Sequence, residues 1–149
     1  MQYQQFGDHY VLRLMPDEEV MATLLQFVND ERIFGAYFMA FGAFSRVQLR
    51  YFDVATRQYR NNEVDRQVEV VSLLGNVSLS DGKPMIHMHA TVGDALGHSD
   101  SGHIGEGIVR PTLEVFLTQI GGELHRTKDE ASGLELLNLP ETAAARRER

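Results

Sequence analysis

Two histidines separated by a single residue, His87 and His89, stand in the segment Met-Ile-His-Met-His-Ala-Thr at positions 85–91. On a strand, alternate side chains share a face, so His87, His89 and Thr91 point one way and Ile86, Met88, Ala90 and Val92 the other. Imidazoles so placed are roughly 6.5–7 Å apart at Cα and can both reach one ion. The apolar face is complete without them, so they are not filling a core by default. A second segment, Gly-His-Ser-Asp-Ser-Gly-His-Ile at 97–104, offers a third imidazole from either His98 or His103. Three neutral imidazoles suit zinc or a similar borderline metal and leave a fourth position open to water or ligand. The competing reading makes His87 and His89 surface or interface residues bonded to backbone. His9 and His125 stand alone and read as structural or solvent-exposed.

Other chemistries are excluded or thin. With no cysteine, there is no disulfide framework, thiolate nucleophile or Cys-ligated metal. No Ser-His-Asp pattern, phosphate loop or dinucleotide fingerprint is present. An open-coordinated metal would acidify bound water and support hydrolase or lyase chemistry. Glu69 and Glu114 are then the candidate general bases, because both lie within apolar strand patterns where a charge needs a partner. The alternative is that each pairs with an arginine such as Arg126, across the sheet or a subunit interface.

The elements that must position these residues follow from periodicity and turn chemistry. Residues 9–15 alternate as a first strand. Pro16 to Glu19 start a helix, with Asp17 as the cap and two glutamates at the positive end of the dipole. Val20, Met21, Leu24, Leu25, Phe27 and Val28 form its apolar face, and residues 29–32 end it. Residues 36–41 form a buried-looking run broken by Gly42-Ala43, 47–52 alternate, and 53–57 form a turn. Residues 67–74 are a strand closed by Gly75-Asn76. A turn at 80–84 leads into the histidine strand, 112–117 are another, and Gly121-Gly122 turns toward 123–126. One helix followed by strands on short loops predicts an α+β fold with a mainly antiparallel sheet core and few flanking helices.

Composition bounds the partners. A chain of 149 residues, 43% hydrophobic and 23% charged, predicts one domain over 1–140 with a short flexible tail at 141–149. No stretch of about 18 apolar residues exists, and the first residues have neither a basic start nor an apolar run, so the expected location is the cytoplasm. Fourteen Lys and Arg against 21 Asp and Glu give −7, the wrong sign for binding nucleic acid through the overall field. The arginines at 146, 147 and 149 read as a solvated tail.

Several segments fall in the order and spacing of a known family. They are Gly42-Ala43-Phe44-Ser45, Glu69 through Gly75, His87-Met88-His89-Ala90, Gly97 through His103, Thr112 through Phe116, and Arg126 through Leu134. Together they resemble the PPC ("plants and prokaryotes conserved") domain, formerly a domain of unknown function, over about residues 10–139. The resemblance implies a compact α+β fold and assembly into a homotrimer. It also implies zinc bound by the His-x-His strand and a Gly-Gly-His loop, hence by His87, His89 and His103 rather than His98. Two departures stand out. Ser101 replaces the first glycine of that loop, which would strain a positive φ. The Arg-Gly-Arg-Pro hook with which the plant relatives enter the AT-rich minor groove is absent.

Three classes of function follow. The first is a homotrimeric regulatory or interaction module that holds a metal or small anionic ligand, or a protein partner. The second is a DNA-binding regulator without the hook, using trimer geometry and the tail at 146–149. The third is a zinc-dependent hydrolase or lyase. Without a catalytic motif, binding ranks ahead of catalysis. Exposed apolar strand positions would favour the trimer, with Phe38, Phe41, Phe44, Phe52 and Phe116 as the candidates.

Overall fold

A computed structural model of the chain describes residues 1–140; the tail assigned to 141–149 and its arginines lie outside the described residues. The elements run β1 (Gln2–Phe6), β2 (His9–Leu14), α1 (Val20–Asp30), β3 (Ala36–Asp53), β4 (Gln58–Val64), β5 (Val68–Ser80), β6 (Lys83–Gly93), β7 (Ser99–Gln119), β8 (His125–Lys128) and β9 (Glu135–Leu137). All strand pairs are antiparallel except β5 with β8. The expected α+β fold with a mainly antiparallel sheet is therefore what forms.

Three long strands and one of medium length close on themselves: β3 pairs with β5 and β7, and β6 pairs with both β5 and β7. Side chains alternate inward and outward along each, as the pleat requires. Phe38, Phe44, Leu49, Leu73, Val77, Met88, Ile104, Val109 and Leu113 fill the interior. The α1 face of Val20, Leu24, Phe27 and Val28 is buried against the same core. Among the described residues, no helix is long and apolar enough to cross a membrane.

The helix starts two residues later than Asp17 would place it. Glu19 is the cap, accepting from the backbone N–H groups of Met21 at 3.0 Å and Ala22 at 2.6 Å. Asp17 instead sits at φ +69° in the preceding turn, its carboxylate taken by Arg110 at 2.7 Å.

Glycines expected to end strands instead let strands continue. Gly42 does not break β3; it sits at φ +148° in a bulge, where a Cβ would lie 2.2 Å from the Thr112 carbonyl oxygen. Gly75-Asn76 does not close β5, because Gly75 makes room for the Phe38 ring, whose Cζ would stand 2.3 Å from a Cβ there. The run at 36–41 is not uniformly buried but alternates, leaving Tyr37, Met39 and Phe41 outside. Three strands escape the periodicity argument altogether: β1 is exposed throughout, β4 buries only Val64, and the short β9 buries none of its residues fully.

Candidate metal centre

The histidine strand is β6, and its partner is not a loop. Residues 99–119 form the single long strand β7, so His103 lies on a strand directly opposite His89. Ser101 therefore carries no positive φ and no strain; it pairs with Thr91, with their hydroxyl oxygens 3.0 Å apart. Gly102 is required for another reason. A Cβ there would come within 2.9 Å of the Arg50 carbonyl oxygen and 3.2 Å of Leu49 Cβ.

His87, His89 and His103 come together on the outer face of the closed sheet, each offering a ring nitrogen within 4.8 Å of the others. Their ring centroids are 5.0, 5.1 and 5.3 Å apart. The Nε2 atoms of His87 and His89 are 3.1 Å apart, near the edge of about 3.3 Å expected of a tetrahedron with bonds of about 2.0–2.1 Å to zinc. The donor set thus fits one borderline divalent ion. No carboxylate belongs to this group among the described residues. His98 is elsewhere, in the 94–98 turn, where its ring lies 3.4 Å from Asp94. His9 contacts Thr118 and His125 contacts Glu123, both at the surface.

The surroundings favour the neutral form of His87 and His103. Burial, then the neighbouring Arg126 and His89, lowers the pKa of His87. His103 is lowered to about 4 by burial first, then by His87, His89 and Arg50. Neutral rings are what a metal requires. The Arg126 Nη2 approaches His87 Nδ1 at 3.4 Å, and a guanidinium can only donate. That assigns the His87 proton to Nε2, facing His89. Loading an ion on the Nε2 atoms would move the proton to Nδ1 and end the contact with Arg126.

Arg126 does not pair with Glu69 or Glu114 within the chain. It is 8% exposed on β8 and donates to Ser78 Oγ at 2.9 Å, Asn76 Oδ1 at 3.0 Å and the Glu135 carbonyl at 2.6 Å. The carboxylate of Glu135 is engaged by Ser80 at 2.6 Å and, though near enough to favour the charge, makes no ion pair with Arg126. Glu69 is exposed on β5 opposite Gly93, four residues along β6 from His89. Glu114 faces Arg13 and Phe41 in the ladders, far along β7 from His103. Neither carboxylate lies at the triad.

Sequence reasoning missed two neighbours. Tyr59, on the unforeseen strand β4, sets its ring 5.6 Å from that of His103. Arg50 lies opposite His103 in the β3–β7 ladder, and its side chain lies across Gly105, where a Cβ would meet Nε at 2.3 Å. A glycine amid strand-like residues was the available signal for such a close approach.

The model of the Plants and Prokaryotes Conserved (PCC) domain matches residues 1–121. A metal-containing protein from Archaeoglobus fulgidus is 30% identical, with 93% of this chain and 99% of that one covered at a TM-score of 0.84. A candidate DNA-binding protein from Ralstonia eutropha JMP134 is 28% identical, with 93% and 96% covered at 0.87. Among curated proteins, the bifunctional protein GlmU of Synechococcus sp. (strain JA-3-3Ab) is 29% identical over 139 residues, or 91% of this chain. The chain spans only about a fifth of the length of the curated relatives it matches, 21% and 20%.

Proposed function

We propose that this chain, which belongs to the Plants and Prokaryotes Conserved domain family, is a binding module that holds one divalent metal ion on His87, His89 and His103. The observation that carries this reading is the convergence of three imidazoles, two of them partly buried, from two paired strands on one point. Zinc suits the donor set best, and three protein ligands leave a position for an exogenous group. The metal in the Archaeoglobus relative supports the same reading. Elemental analysis of purified protein beside a His87→Ala/His89→Ala variant tests it. About one zinc per wild-type chain and none in the variant is expected; equal zinc in both would overturn the assignment.

The module acts as a homotrimer in this reading. Of the five phenylalanines considered, Phe38 and Phe44 are buried, whereas Phe41 and Phe116 are exposed and stacked 5.7 Å apart. They join Tyr37, Met39 and Leu74 in an apolar face that runs into the triad through the Leu74–His89 pair. A face of that kind on the outside of a sheet favours a second copy.

A second reading, DNA binding, is favoured by the description of the Ralstonia relative. The net charge of −7 opposes it. A binding assay on AT-rich and mixed duplexes at low salt decides between them, since electrostatic affinity is strongest there and its absence would exclude this reading.

A further inference from the structure

Beside the triad, the outer face carries a second row of chemistry. Ser72 on β5 pairs with Thr91 on β6, and Thr91 pairs with Ser101 on β7, so three hydroxyls stand in register across three strands. This row lies two residues along from Leu74, His89 and His103, on the same face. The Thr91 and Ser101 oxygens share one hydrogen bond at 3.0 Å, which leaves one hydroxyl hydrogen and several lone pairs free. A cleft of about 250 Å³ opens over the row, lined by Ser72, Leu74, His89, Thr91 and Ser101.

Two guanidinium groups border the triad. Among the described residues Arg126 makes all its hydrogen bonds to neutral acceptors, although the Glu135 carboxylate lies near it, and Arg50 lies beside His103. A divalent ion on three neutral imidazoles adds two further positive charges, and among the described residues no carboxylate joins the group to balance them. An anionic oxygen at the open position supplies the missing charge.

We propose that the cleft is a binding site for a small polyhydroxylated carboxylate of the sugar-acid class, its carboxylate on the ion held by the triad and its hydroxyls along Ser72, Thr91 and Ser101. The proposal rests on the metal reading above. Roughly 6.5–7 Å separates the His89 row from the Thr91 row, so a short carbon chain bridges them and a bare oxyanion does not. Neutral hydroxyls both donate and accept, which matches a polyol rather than a second charged group.

The test uses the full chain loaded with zinc, with metal content measured before and after titration. Calorimetry with D-gluconate, acetate and sorbitol separates the two halves of the site. Gluconate is expected to bind about tenfold or more tighter than acetate, with sorbitol undetected, each tenfold step being about 1.4 kcal/mol. Ser101→Ala and Ser72→Ala should each weaken gluconate several-fold and leave acetate unchanged. Thr91→Ser, which keeps the hydroxyl, should bind as wild type. Less than one zinc per chain would bring down the metal reading and this proposal with it. Full zinc with gluconate no tighter than acetate, or with gluconate indifferent to the serine variants, would overturn this proposal alone.

Discussion

His103 stands directly across the β6–β7 ladder from His89, and that one register fixes which histidine can complete the triad. His87 follows from strand alternation, since it shares the face of His89. His98, five residues before His103, is carried by the 94–98 turn into contact with Asp94 instead. Replacing His103 by Ala is therefore expected to abolish zinc retention after dialysis, while His98→Ala retains about one zinc per chain. Loss of zinc from both variants alike would show that the loop, rather than the strand pair, holds the ion.

Acid should destabilise the metal-free chain in a defined window. His103 is held neutral first by burial, then by its neighbours His87, His89 and Arg50; its pKa falls from 6.5 to about 4. Between those values the unfolded chain binds the proton and the folded chain does not, so unfolding is favoured as pH falls. The stabilisation is complete above pH 6.5 and is lost as pH drops toward 4. Thermal unfolding followed from pH 7.5 to 4 should show a falling midpoint in wild type and a shallower fall in His103→Gln, which cannot titrate. Parallel curves would remove His103 as the cause.

Much of the fold was legible because apolar alternation in β2, β3 and β6 is strong and the helix has a clear face. What escaped did so for physical reasons. The polar strands β1 and β4 are ordered by ladder hydrogen bonds and bury almost nothing, so no periodicity marks them. Gly42 and Gly75 looked like strand ends and Gly102 like part of a loop, yet each serves a close approach inside a continuous strand. The family's His-x-His strand pointed to His87 and His89 and its Gly-Gly-His loop to His103, whereas Arg50 and Tyr59 reach the triad through β3–β7 and β3–β4 pairing that no local pattern encodes.

Gly102 tests the claim that backbone closeness, not flexibility, fixes its identity. Its φ is not in the left-handed region, so alanine imposes no torsional strain. The added Cβ would nonetheless press on the Arg50 backbone at 2.9–3.2 Å and on Leu49 Cβ. Gly102→Ala should cost about 1–3 kcal/mol by overpacking and push β3 from β7 beside His103. Chemical denaturation and zinc affinity measured together check it. A stable variant with unchanged zinc binding would mean that the strands separate freely here.

The apolar outer face offers the sharpest test of assembly. Met39 lies between Phe116 and Leu74 in the ladders, at the centre of the exposed patch, and is 52% exposed. Its side chain contributes little to the core of one chain, so a charge there should leave the monomer folded. If this face is the trimer interface, the same position would be buried between apolar side chains, where an unpaired carboxylate is costly. Wild type is expected to sediment near three times the 16.8 kDa chain mass, and Met39→Glu near 16.8 kDa with unaltered far-UV circular dichroism. His89 is separated from Met39 by Leu74 alone, so zinc retention by the dissociated variant also reports whether one chain suffices to hold the ion. A wild-type mass near one chain, or an assembly untouched by the charge, would remove this face as the interface.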